Sequence, residues 1–237
     1  MVFTWIFLAA LAAATATRLW LAQRQIRHVR AHRNSVPAMF AESIPLASHQ
    51  KAADYTVAKA RLGIVDTVLD ALVLLALTLG GVLQWLSDLW ERAFAADSIW
   101  HGTAVILTVF LLRGLIGLPL NLYRIFVIEE RFGFNRMTLR LFITDLVKGL
   151  AVGTVLGVPL LLAVLWLMLA AGSLWWIYVW LVVVVYSLFL QMVYPAVVMP
   201  LFNKFSPLDD PALAARIERL LSRLHDQQIA VTCANET

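Results

Sequence analysis

The sequence predicts an all-α fold, a polytopic membrane helical bundle of five transmembrane helices with its N-terminus outside and its C-terminus cytoplasmic. Three observations carry this expectation. Of 237 residues, 61% are apolar and only 14% charged, against about 45–50% and about 25% in soluble domains. Five apolar stretches reach the ~20 residues that a helix needs to cross a ~30 Å hydrocarbon core. Lys and Arg crowd some connections and nearly vanish from the ones between, as positive-inside topology requires. The same richness in Leu, Val, Phe and Trp excludes disorder, and a lone cysteine, Cys233, excludes a disulfide scaffold. A nucleic-acid partner is not expected despite the net charge of +4, because the basic residues flank apolar runs and form no stripe with interleaved aromatics.

The spans follow in order. Val2–Ala22 comes first, and nothing charged precedes Arg18. A secretory signal carries its positive charge before the apolar run, so an uncleaved anchor is preferred over cleavage at Ala14-Thr15-Ala16. Leu62–Trp85, Gly102–Ile125, Gly149–Ala170 and Trp175–Met199 follow. Only Ala171–Leu174 separates the last two, which calls for a tight antiparallel hairpin. The 23–61 segment holds seven Lys and Arg residues, whereas Leu86–His101 holds only Arg92. The 126–148 loop is again basic, the Ala171–Leu174 turn carries no charge, and Lys204, Arg216, Arg219 and Arg223 follow the fifth span. Trp85, Trp90, Trp100, Trp175 and Trp176 fall at the expected outer boundary, where indole rings prefer to sit. In the 23–61 segment, apolar Val36, Met39, Phe40, Ile44 and Leu46 suggest surface-lying helix, interrupted by Pro37 and Pro45.

Polar and small residues inside the spans narrow the packing. Asp66, Asp70 and Arg113 lie well within apolar runs. An unpaired charge at a helix centre costs about 2.5–3.5 kcal/mol on insertion scales. Counted from the inner ends of their antiparallel spans, Asp70 lies roughly 12 Å deep and Arg113 roughly 18 Å deep. A long Arg side chain covers that offset, so the two are expected to pair or to share a water-filled cavity. Snorkelling of Arg113 towards water is the plainer alternative. Gly149, Gly153 and Gly157 recur every four residues on one face and suit close approach of another helix within the bundle. Gly114, Gly117 and Pro119 favour a kink near the inner end of the third span.

A scan for catalytic constellations finds none complete. His28 and His32 have the i, i+4 spacing of two zinc ligands. They lack the following Glu of a metalloprotease, and Arg27, Arg30 and Arg33 would repel a cation, so no metal site is assigned. Glu129 and Glu130 are adjacent and point to different helix faces.

The stretch from Pro119 through Glu129-Glu130-Arg131-Phe132-Gly133-Phe134-Asn135 to Thr138, continuing through Asp145 to Lys148, resembles the N-terminal membrane domain of the type I CAAX prenyl proteases. Pro200-Leu-Phe-Asn203-Lys-Phe205 is similar to the same family's exit from its fifth span. These are integral-membrane zinc metallopeptidases that enclose a water-filled chamber. An H-E-x-x-H helix and a later Glu hold their zinc, and they cleave C-terminal peptides, including those of prenylated proteins. The resemblance implies that residues 1–224 form the five-span, chamber-building domain of such a peptidase, with the bilayer, a zinc domain and a peptide or prenylated-protein substrate as partners. It also implies a role in proteolytic processing or membrane-protein quality control.

This sequence contains no H-E-x-x-H, so no cofactor is expected in the chain itself; zinc is implied only for the full-length family, and the chain is expected to be inactive alone. Residues 213–224 read as an amphipathic helix. The 225–237 tail is unlike the family, as a premature stop or frameshift would leave it. For the motif residues, loop architecture is preferred over substrate contact: Phe132, Gly133 and Phe134 would turn and pack the loop, Asn135 would cap the next helix, and Asp145 would pair with Lys148. The non-enzymatic alternative is a transporter, channel or assembly factor using the Asp70–Arg113 region. An Arg to Lys ratio of 15 to 4 and the resemblance together suggest a bacterial inner membrane.

Overall fold

The computed structural model describes residues 2–37, 40, 42–202, 216, 219, 220 and 222. Met39, Asn203, Phe205, most of the expected 213–224 helix and the 225–237 tail lie outside the described residues. The described elements are helical: α1 (Val2–Ala31), α2 (Leu46–Thr78), α3 (Val82–Trp90), α4 (Ile99–Tyr123), α5 (Leu139–Ala170), α6 (Trp175–Val193) and α7 (Met199–Phe202). A π-helical turn, Arg124–Glu129, continues α4, and another, Tyr194–Val198, joins α6 to α7. The chain divides into two compact units within α6, between Val183 and Val184.

The first unit is built as apolar solvent demands. Phe3, Phe110, Val155 and Leu169 are each more than 60% exposed, a distribution that only lipid makes favourable. Backbone and hydroxyl groups must then find partners inside their own helices. Thr17, Thr67, Thr78, Thr103, Thr108 and Thr154 each donate to the carbonyl four residues back. Among the described residues, four helices are long and apolar enough to cross a bilayer: Val2–Ala31, Ile99–Glu129, Leu139–Ala170 and Gly172–Phe202. The pair α2 and α3 makes a fifth candidate, bent by 54°. The protein is an integral membrane protein of helical class.

That bend corrects the expected continuous span Leu62–Trp85. The amides of Leu79 and Gly80 both donate to the Leu75 carbonyl, closing α2 early. A Cβ on Gly80 would lie 2.7 Å from the Ala76 carbonyl oxygen, and Gly81 takes a φ of +74°. Only glycine accepts both conditions without strain. Beyond the break, α3 is fastened to α4. Leu86 is buried, Trp90 Nε1 donates to Thr108 Oγ1 at 3.0 Å, and His101 Nε2 lies 3.1 Å from the Ser87 carbonyl oxygen. Trp90 therefore turns inward, while Trp85, Trp100 and Trp176 stay exposed as an interfacial belt would.

The helices at the basic side run further than the spans alone require. α1 extends past Ala22 to Ala31 and packs along the start of α2, burying Ile26, Ala53 and Val57. Pro45 stands immediately before α2, and Pro37 lies in the connection, so no single helix joins them. Arg33 clasps Asp54 with Nε and Nη2, each at 2.8 Å, and His49 Nε2 reaches the His32 carbonyl at 3.0 Å.

Proline placement explains the irregular turns. Pro119 has no N–H for the Leu115 carbonyl, yet α4 continues through it, and a π-helical turn follows at Arg124–Glu129. The glycine triad also differs from expectation. A Cβ at Gly149, Gly153 or Gly157 would meet nothing within 4 Å. α5 instead meets α4 through Gly102, whose Cβ position is 3.4 Å from Leu165, and through the edge-on rings of Phe126 and Phe142. The link between α5 and α6 is the short 3-10 turn Gly172–Leu174.

The second unit includes the end of α6, the π-turn and α7. Pro195 and Pro200 each withdraw one backbone donor, and the Met199 amide bonds the Tyr194 carbonyl five residues back. Val198 is buried there, and Pro200 lies in α7.

Candidate functional site: an intramembrane ion cluster and the loop beside it

α2 carries both parts of the site. Asp66 and Asp70 lie four residues apart, so their side chains stand one above the other on one helical face. Arg113 of α4 reaches across, its Nη2 bonded to Asp70 Oδ1 and 3.8 Å from Asp66 Oδ1. The three side chains remain 40–50% open. Arg113 bends towards the basic side of the bundle, and Gly117 makes room for it: a Cβ there would sit 3.0 Å from Nη1. The pairing expected from depth along the two helices is thus present.

The cluster opens into a cavity of about 340 Å³ lined by Lys59, Asp66, Arg113, Asn121 and Arg124 among smaller apolar groups. Arg124 Nη2 donates to Asn121 Oδ1 at 2.7 Å. Three cations and a carboxylate around a recess between helices can hold water and anionic groups. Leu62 and Leu120 line this cavity and also the one on the opposite side of the α2–α4 seam. One flank of the seam is accordingly polar, the other apolar.

The loop after the π-turn packs on the extension of α2. Gly133 has a φ of +71°, and the Glu129 carbonyl accepts the amides of Phe134 and Asn135. This reversal presents two rings to one partner: Tyr55 meets Phe132 at 5.4 Å and Phe134 at 4.9 Å, both edge-on. Phe132 is buried, and Arg131 lies over its ring at 5.8 Å. Lys51 stands 5.3 Å from the Phe134 ring, and Lys59 lies 5.1 Å from that of Tyr55. Asn135 does not cap α5. Its Oδ1 accepts from the Met137 amide and its Nδ2 donates to Glu130, while Thr138 provides the N-cap through the Leu141 amide. Asp145 Oδ1 is buried without a hydrogen-bond partner, and among the described residues no ion pair joins Asp145 to Lys148.

The structure thus brings Asp66, Asp70 and Arg113 into one cluster, and folds Glu130 to Asn135 into one loop. Sequence reasoning missed Tyr55, the platform for that loop, and the Lys59–Asn121–Arg124 rim. A signal existed: Lys51, Tyr55 and Lys59 recur every four residues on one helical face. Zinc was tested against the donors present. Among the described residues no three His, Cys, Asp or Glu side chains converge. His28 and His32 stack at 4.2 Å, and His32 and His49 turn ring nitrogens to carbonyls. These donors do not fit a zinc site.

Two expectations follow from these contacts. Arg113→Gln should lower the yield of folded protein severalfold, since it leaves two carboxylates without their cation among apolar helices, and Asp70→Asn should lower it less, because Asp66 stays 3.8 Å from the guanidinium; the exchanged pair Asp70→Arg with Arg113→Asp should recover most of the loss, measured as monodisperse protein in detergent. Outside the membrane, the two hydrogen bonds from Arg33, with its charge, hold the Asp54 carboxyl below its usual range. A depressed carboxylate pKa gives stability that is present above the unfolded value and is lost as pH falls through the folded one. Protease protection of the connection between α1 and α2 should therefore persist at pH 5 and fade only below the ordinary carboxylate range (about 3.9), and Asp54→Asn should remove that pH response.

Comparison with known proteins meets the same architecture. The family described as CAAX prenyl protease N-terminal, five membrane helices, matches residues 25–204. A CAAX prenyl protease 1 homolog of Caenorhabditis elegans is 33% identical over 222 residues, covering 92% of this chain and 49% of its own length. The probable CAAX prenyl protease 1 of Schizosaccharomyces pombe is 32% identical, covering 87% and 46%. The crystal structure of S. mikatae Ste24p superposes with a TM-score of 0.82 at 26% identity, covering 91% of this chain and 51% of that one. The chain spans about half the length of these relatives. With five candidate spans, a motif loop folded against the second and a family match across most of its length, the chain belongs to the CAAX prenyl protease N-terminal family.

Proposed function

We propose that this chain forms the chamber wall of a membrane zinc metallopeptidase that processes peptide C-termini, prenylated proteins among its substrates, or acts in membrane-protein quality control. The observation that carries the reading is the polar flank of the α2–α4 seam, where Asp66, Arg113, Lys59 and Arg124 line one recess inside an apolar bundle. Ionisable groups kept at membrane depth mark water-filled pathways. The loop Glu129–Asn135, fixed on Tyr55, then serves to position the basic face of the wall against the zinc domain. Because the chain spans about half of its relatives, the hydrolytic step is assigned to residues outside the matched region. The purified 237-residue chain is expected to retain no stoichiometric zinc after dialysis and to show no cleavage of a farnesylated CAAX peptide. Stoichiometric zinc with hydrolysis would overturn this division of labour.

The reading includes an orientation, with the N-terminus outside and the 23–61 and 126–148 segments cytoplasmic. Arg-rich connections support it. In a Cys233→Ser background, a thiol at Arg136→Cys should react only with reagents supplied from the cytoplasmic side, and one at Ala95→Cys only from the other. The reverse pattern would refute the orientation. The bacterial inner membrane is proposed on composition alone; the relatives named above are eukaryotic and lend it no support.

A further inference from the structure

The apolar flank of the α2–α4 seam carries a second cavity, of about 520 Å³. Its wall is Val65 on α2 and Pro119, Tyr123 and Val127 on α4 and its π-turn. Val65, Tyr123 and Val127 are each about half exposed, so the wall is open to an occupant. No carboxylate lines it. Two guanidinium-bearing residues do, Arg61 and Arg131. Arg61 immediately precedes the apolar run of α2, and Arg131 immediately follows the π-turn region, so both belong to the basic end of the groove. Neither makes a hydrogen bond or an ion pair within 4 Å among the described residues; Arg131 lies over the Phe132 ring, and its charge is felt by Asp54, which Arg33 already holds.

We propose that this groove binds one anionic phospholipid, its phosphate held between Arg61 and Arg131 and an acyl chain laid along Val65, Pro119, Tyr123 and Val127. Charge complementarity selects the occupant. Two guanidinium groups that donate no hydrogen bond among the described residues, at the boundary depth of a bilayer, match a phosphodiester that can accept bidentate hydrogen bonds. Length agrees as well. Pro119 to Val127 covers roughly 12 Å at 1.5 Å per residue, close to half of a ~30 Å hydrocarbon core. Basic pockets between membrane helices are known to favour anionic head groups. A soluble anion would have no use for the apolar wall.

The test uses the full chain in nanodiscs of equal phosphatidylglycerol and phosphatidylcholine, with retained lipid counted by native mass spectrometry. The expected result is one retained phosphatidylglycerol per chain, lost about tenfold in Arg61→Gln with Arg131→Gln. The charge-preserving Arg61→Lys with Arg131→Lys should keep it, as should Arg24→Gln with Arg27→Gln on α1. No preference for phosphatidylglycerol, or an unchanged preference in the double Gln variant, would overturn the proposal. So would an equal loss in the α1 variant, which would reduce the effect to general surface charge. Displacement of the lipid by a farnesylated peptide would also overturn it, by giving the groove to a substrate chain.

Discussion

Arg113 bonded to Asp70, with Asp66 at 3.8 Å, is the interaction on which the arrangement of α2 and α4 depends. In water such a pair contributes little. Among apolar helices the balance changes, because each charge left alone carries the full cost of leaving water. The register between the two helices is therefore restricted: a one-turn slide in one direction takes the guanidinium away from both carboxylates, and in the other it leaves the guanidinium with only Asp66 in reach. Gly117 completes the device by leaving a hollow for the Arg113 head group. Once register is set, the seam residues Leu62 and Leu120 divide a polar flank from an apolar one.

The same helix then organises what lies outside the bilayer. α2 continues beyond the basic boundary to Leu46, and Tyr55 on that extension receives both Phe132 and Phe134. Gly133 is needed there for its backbone angle, and Asn135 for two local hydrogen bonds. The 130–135 stretch is thus held as a defined loop on Tyr55. Position in the membrane and position of the loop are both referred to one rigid rod.

What could be read from the sequence was what depends on distance along a helix axis. Span number and the meeting of Asp70 with Arg113 need only a rise of 1.5 Å per residue and a bilayer of known thickness. What could not be read depends on rotation about the axis or on a single local bond. Gly149, Gly153 and Gly157 share a face, but spacing does not say which way that face points, and among the described residues a Cβ there would meet nothing within 4 Å. The bend after Thr78 rests on a close backbone approach at Gly80 that composition does not reveal. Asn135 and Thr138 both suit a helix start; the bond to the Leu141 amide went to Thr138. Tyr55 shares a helical face with Lys51 and Lys59, but that spacing alone does not say which loop the face receives.

The bend between α2 and α3 has a consequence for the membrane that surrounds the protein. From Leu62 to Thr78 the apolar part of α2 covers roughly 25 Å, short of a ~30 Å hydrocarbon core. α3 supplies the remainder obliquely, at 54°, which adds roughly 8 Å along the axis of α2. The second crossing is thus completed by an oblique foot, and because Trp90 and Ser87 tie that foot to α4, the depth it spans is fixed through a neighbouring helix and not by the length of α2 alone.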